Sequence, residues 1–189
     1  MMSPFEEKQV LSSFAVLVDS REQQTERAER RYAAFGAEWR RCTLSYGDYT
    51  YNATLPDGRR IHNEQETIRP LLAIERKMNL DELAQCFTRS RARFQREFER
   101  ARENGSRIIL IVEDASWENL LNGKYRSKVH PEAFAASIEA WTIRYGLNVI
   151  FCKEETSGKL IRDFLYRDLK ERLENGEFDK EKEDGVYDP

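Results

Sequence analysis

Short apolar runs alternate along this chain with longer segments of helical period. Residues 14–19 read Phe-Ala-Val-Leu-Val-Asp, an unbroken apolar run closed by an acid, and residues 107–112 (Arg-Ile-Ile-Leu-Ile-Val) lead into Glu113 and Asp114. Runs of this length, rich in β-branched residues, predict buried strands. Further strands are expected over 39–44, 49–53, 71–75 and 147–151. Helices are expected over 22–35, 80–88, 90–104, 131–145 and 157–173. Gly36, Gly105 and Gly146 supply stops, and Pro131 opens a first helical turn, where a missing N–H costs nothing. Pro56-Asp57-Gly58 predicts a tight turn. The polar stretch 122–130 predicts a mobile loop. Strands and helices alternating at these lengths predict an α/β layered sheet.

Bulk properties narrow the picture. With 189 residues, one domain is expected over 1–174, with a core from 14 to 151 and a closing helix at 157–173. Beyond it, 175–189 is an acidic tail with few apolar residues and no periodicity, so disorder is expected there. The net charge of −3 argues against a uniformly basic coat for nucleic acid. However, residues 171–189 alone carry eight acids and three bases, a net of −5, which leaves the rest at +2. No apolar run is long enough to span a membrane, and no secretory signal is visible. The three cysteines are widely spaced and odd in number, so free thiols and an intracellular location are expected: cytoplasm, nucleoid or nucleus.

The strand ends carry the chemistry. Residues 70–74 lead into Glu75-Arg76-Lys77, with Asp81 beyond and Gly47-Asp48 upstream. Asp19, followed by Glu22, closes another strand. Acids at the tips of neighbouring strands repel one another unless a cation lies between them. Mg²⁺, or Mn²⁺, suits that place because it takes hard oxygen ligands and keeps several waters. Lys77, two residues past Glu75, shares its face of an extended strand. Acids to hold a metal, and a lysine to activate water or steady charge on a phosphate, are a minimal set for phosphodiester cleavage.

Gly47-Asp48 followed by Glu75-Arg76-Lys77-x-x-x-Asp81 resembles the signature of the XPF-type structure-specific DNA endonucleases, a branch of the PD-(D/E)XK nuclease superfamily. Val18-Asp19-Ser20-Arg21-Glu22 resembles that family's upstream D-x-R-E element. The likeness covers one nuclease domain. It implies a restriction-endonuclease-like fold, a central mixed β-sheet flanked by helices. It implies Asp48 and Glu75 as primary metal ligands, the Arg76 carbonyl as a third, and Lys77 as the catalytic lysine. Asp19 and Glu22 would help hold a metal, a second one included. Arg21 would touch phosphate or organise the acids, and Asp81 would anchor the start of the next helix. DNA is the implied substrate and a homodimer the implied assembly. There are two departures. The gap from Asp48 to Glu75 holds 26 residues, so 55–69 is expected to be an inserted hairpin or loop. No paired helix-hairpin-helix module is recognisable after the nuclease domain, so a partner protein is expected to supply any recognition of branched or flap DNA.

Arginines crowd the 90–104 helix. Arg89, Arg93, Arg96 and Arg100 share one face at about 100° per residue. That face is either a phosphate-binding ridge or a solvated surface paired with Glu97, Glu99 and Glu103. Arg91 lies nearer the apolar side and is the expected reach toward the site, so the DNA-binding set is Arg91, Arg93, Arg96 and Arg100. His62 and His130 are isolated. Leu160, Ile161, Phe164, Leu165, Leus 169 and 173 form a wide stripe for the core or for a second copy. Beside a metal-dependent DNA endonuclease stand two other readings: a non-catalytic DNA-binding or scaffold module of the same fold, and a nuclease that reads base sequence.

Overall fold

The computed structural model describes residues 2–179. Elements follow in the order α1 (Pro4–Ser12), β1 (Ala15–Asp19), α2 (Glu26–Ala33), β2 (Glu38–Cys42), β3 (Tyr49–Asn52), β4 (Leu72–Lys77), α3 (Leu80–Phe87), α4 (Arg91–Glu103), β5 (Arg107–Glu113), α5 (Trp117–Leu121), α6 (Pro131–Tyr145), β6 (Asn148–Cys152) and α7 (Glu154–Glu174). Among the described residues the strands form one six-stranded sheet in the order β2-β1-β3-β4-β5-β6. β3 runs antiparallel to β1 and β4, while β1–β2, β4–β5 and β5–β6 are parallel. The expected mixed sheet flanked by helices is therefore present.

Each face of the sheet has its own core. Phe87, Phe94, Phe98, Phe134 and Trp141 from α3, α4 and α6 pack against Ala73, Leu110 and Val112. Val10, Tyr32, Leu165 and Leu169 from α1, α2 and α7 pack on the other face against Val16, Tyr49 and Ile74. The two-residue period of a strand assigns side chains to these faces. Ala73 and Ile74 go to opposite cores, so Glu75 and Lys77 follow Ala73, while Arg76 follows Ile74.

Several expectations change at the element ends. The helix expected over 22–35 begins only at Glu26, because Thr25 caps it by accepting from the Ala28 N–H. Glu22 therefore sits in the turn after β1. β4 extends through Lys77 rather than ending at Glu75. Asp81 anchors a loop rather than its own helix start, accepting from the N–H groups of Arg126 and Ser127 at 2.7 Å each. The stretch expected to be mobile is pinned there and by the Tyr125 hydroxyl on the Val129 carbonyl. The insert is a loop with two isolated bridges, Thr54 to Arg60 and Leu44 to Ile68. Of the tail, residues 180–189 lie outside the described residues, while 175–179 form turns and Asp179 accepts from the Met2 N–H.

The apolar stripe of α7 belongs to the core. Ile161, Leu165 and Leu169 are wholly buried, and the helix contacts α1, α2 and three strands. A stripe that wide is needed because α7 lies across the sheet with helices alongside it. Gly158 lets α2 come close: a Cβ there would collide with the Arg31 carbonyl. Leu165→Ala should cost about 2–5 kcal/mol of folding stability and leave the sedimentation coefficient of the folded fraction unchanged. Urea unfolding and velocity sedimentation check this, and a change of oligomer without loss of stability would return the stripe to an interface.

Candidate active site

Gly47 makes the site possible. Its φ is +73°, and a Cβ there would lie 2.7 Å from that of Ala73. Only glycine meets both constraints. The loop can then press against β4, where the Asp48 N–H donates to the Ile74 carbonyl at 2.8 Å. The Asp48 carboxylate accepts from the Arg76 N–H at 2.7 Å. Asp48 is thus clamped along the end of the strand that carries Glu75. On that strand the Lys77 ammonium donates to Glu75 at 2.6 Å and lies 5.7 Å from the centre of the Phe94 ring.

All seven expected residues, Asp19, Arg21, Glu22, Asp48, Glu75, Arg76 and Lys77, line one cavity of about 590 Å³. They are not equivalent. Asp19 is 3% exposed, and its carboxylate accepts from Arg21 at 2.5 Å and from the Leu44 N–H at 3.3 Å. Arg21 also donates to the Leu44 carbonyl. Glu22 accepts from the Tyr49 hydroxyl at 2.9 Å and from Arg76 at 3.4 Å. Of the four arginines expected to meet DNA, Arg93 lines the cavity, and Arg91 does not. Helical phase explains the correction: Phe94 packs inward, which turns Arg93 and Glu97 toward the cleft and Arg91 to solvent. Arg96 is exposed, and Arg100 donates to the Ser45 carbonyl at 3.1 Å on the same rim.

Among the groups not anticipated, Glu82, Arg27 and Arg31 also line the cavity, and two further acids stand out. Glu97 lines the cavity beside the acids, and its one available signal was the four-residue spacing from Arg93. Glu113, fully buried at the end of β5, accepts from Arg27 at 2.7 Å and Arg31 at 3.1 Å, and from Arg76 at 3.5 Å. It closes a buried apolar strand as Asp19 does, and that parallel was visible in the sequence.

The electrostatics are those of an acid cluster short of positive charge. Burial, reinforced by Glu75, pushes the Asp48 carboxyl up to about 8. Burial raises Glu75 as well, against the pull of Lys77, and raises Glu97, with Asp48 adding to it. For Lys77 burial works the other way, but Glu75 and Asp48 outweigh it and keep the ammonium protonated. Among the described residues no three His, Cys, Asp or Glu side chains are grouped as a ready metal cage. The chemistry of the donor set still fits Mg²⁺ or Mn²⁺, which bind through one or two carboxylates and fill the remaining positions with water and phosphate oxygens.

An ERCC4 domain model matches residues 18–164. XPF from Aeropyrum pernix is 18% identical, with a TM-score of 0.55 over 82% of this chain and 61% of that one. XPF from Aeropyrum pernix in complex with DNA is 19% identical, with a TM-score of 0.55 over 83% of this chain and 65% of that one. The chain thus spans less than two thirds of either structure, and the likeness is one of fold. No curated protein matches the sequence. The chain belongs to the ERCC4 domain family.

The raised Asp48 carboxyl gives a signed prediction for the metal-free protein. Below its ordinary value of 3.8, folded and unfolded chains hold this proton alike; above about 8 the folded chain has had to ionise a group that burial disfavours. The stability lost to Asp48 therefore grows across that window as pH rises. Asp48→Asn has no such proton, so its melting temperature should gain on wild type between about pH 5 and pH 8. Parallel melting curves across that range would show no divergence if the carboxyl titrates normally.

Proposed function

We propose that this ERCC4-family chain is a divalent-metal-dependent DNA endonuclease centred on Asp48, Glu75 and Lys77. The observation that carries this reading is a buried carboxylate, Glu75, and a half-buried one, Asp48, that repel each other beside a protonated lysine at the wall of an open cavity. A fold has little reason to keep such a pair unless a cation or substrate joins it. Asp48 and Glu75 would hold Mg²⁺ or Mn²⁺, with Asp19 and Glu22 at the edge toward a second ion. Bound there, the metal would supply Lewis acidity and a water of lowered pKa.

The chain's own groups do the rest. Lys77, held cationic, offsets charge that builds on a phosphate in the cavity. Arg93 at the cleft and Arg96 and Arg100 along α4 present guanidinium groups to a phosphate backbone. The neighbour solved in complex with DNA supports that choice of polymer. Structure-specific cutting of flaps or branches, a partner protein that supplies it, and pairing with a second copy belong to the same proposal. A second copy would use a face other than the buried stripe of α7. Against the reading as a non-catalytic module of the same fold stands the retention of Asp19, Glu22, Asp48, Glu75 and Lys77 around one cavity.

The decisive experiment is a cleavage assay on flap, fork, duplex and single-stranded DNA, with and without Mg²⁺ or Mn²⁺. Glu75→Gln should lose at least about a hundredfold in rate while keeping its fold by circular dichroism. A divalent ion at a hundred times its Kd should stabilise the wild type by about 2.7 kcal/mol, and Glu75→Gln much less. Wild-type rates from Glu75→Gln would refute the site. Arg93→Ala combined with Arg96→Ala should lower the slope of log affinity against log salt by about one to two. An unchanged slope would make α4 a solvated face.

A further inference from the structure

Beneath the cleft, on the α2–α7 side of the sheet, a buried chain of polar groups ends at Glu22. The Arg31 guanidinium is 2% exposed, and its Nε donates to Glu113, which is fully buried. Its other arm donates to the Tyr49 hydroxyl at 3.0 Å. That hydroxyl donates in turn to Glu22 Oε1 at 2.9 Å. The direction of the chain is fixed by chemistry. A guanidinium only donates and an ionised carboxylate only accepts. The phenol oxygen must therefore accept from Arg31, and its single proton must point at Glu22. Arg76 reaches the same Glu22 oxygen from 3.4 Å, and its Nε finds no partner. Arg76 is thus the looser of the two holds on Glu22. Among the described residues nothing donates to Glu22 Oε2, which remains free as an acceptor.

We propose that Tyr49 is a positioning residue, which, backed by Arg31 and Glu113, fixes the Glu22 carboxylate so that one oxygen is consumed and the other is presented to the cleft. The inference rests on the nuclease reading of this site. Glu22 lies in a turn outside α2, where its own backbone gives it little rigidity. A hydrogen bond to a fully buried ring supplies what the turn lacks. The ring is set by packing edge-on against Phe35, with centroids 6.0 Å apart. The Arg31–Glu113 pair is set in turn by the close passage of α7 at Gly158. Orientation of Glu22 is thereby tied to the packing of α2 on the sheet.

Tyr49→Phe keeps the ring and removes only the hydroxyl. With Mg²⁺ and duplex or flap DNA, it should lower kcat about tenfold and leave KM within about twofold, the loss expected of one hydrogen bond to a charged group. The melting temperatures of wild type, Tyr49→Phe, Glu22→Ala and the double variant provide a cycle independent of catalysis. The hydroxyl should cost several degrees in the wild type and much less once Glu22 is gone. A coupled cycle with unchanged kcat would overturn the positioning role. A lowered kcat with an additive cycle would overturn the route through Glu22. A wild type that cuts no DNA would sink the nuclease reading and this inference with it, whereas an active wild type matched by Tyr49→Phe sinks the inference alone.

Discussion

Two carboxylates that repel each other, the half-buried Asp48 and the buried Glu75, are held together on neighbouring segments of one sheet, and the rest of the structure is arranged around that fact. Each is brought there by backbone contacts rather than by its own preference. Asp48 arrives through Gly47, whose missing side chain lets the loop lie against Ala73. Glu75 arrives because β4 runs buried between β3 and β5. Lys77 is the local answer. Its ammonium sits 2.6 Å from Glu75 and stays charged because both acids surround it. One cation against two crowded carboxyl groups leaves the cluster short of positive charge, so it favours any additional cation that the cavity admits.

Strand parity then divides the remaining charges between two compartments. Glu75 and Lys77 face α3 and α4, with Glu97 above them. Arg76 faces α2 and α7, where Glu113 gathers it with Arg27 and Arg31. Burial alone would raise the Glu113 carboxyl, but the Ser157 hydroxyl and the guanidinium groups of Arg31, Arg76 and Arg27 bring it below its ordinary value. One face of the tip is therefore starved of cations and the other is well supplied. A buried ion-pair network of this kind is weak evidence for added stability, since desolvation offsets most of the attraction. Its value lies in geometry: it sets Arg76 and Tyr49 against Glu22 and so joins the two compartments at one residue.

Much of this was legible in the sequence because it depends on local periodicity. The strand period alone puts Lys77 beside Glu75 and Arg76 on the opposite face. Gly47 before Asp48 signalled a backbone need that the positive φ confirms. What was not legible depends on tertiary packing. Glu97 looked like one more charge on a solvated helix, because nothing local says which turn of α4 faces the cleft. Arg91 was favoured over Arg93 for the same reason. The α7 stripe alone does not choose between the core and a second copy; α7 touches α1 and α2 as well as the strands, so its apolar arc must be wide. α1 was overlooked although Ser3 and Glu6 form a capping box, a signal carried by four residues and easily lost beside a weakly apolar segment.

The acids of the cleft also differ in how far their charge is already answered, and that difference ranks them. Asp19 accepts from Arg21 and from the Leu44 N–H, so a metal would have to compete with bonds the protein makes by itself. Glu22 gives one oxygen to Tyr49 and Arg76 and keeps the other. Asp48 has one N–H from Arg76 and a more distant pull from Lys77, which burial and Glu75 outweigh, and Glu75 has Lys77 directly. A cation entering this cavity thus gains most from Asp48 and Glu75, next from the free oxygen of Glu22, and least from Asp19. The order follows from hydrogen bonds the folded chain has already formed. It makes Glu22, rather than Asp19, the acid through which the arginine network behind the sheet can act on the cleft.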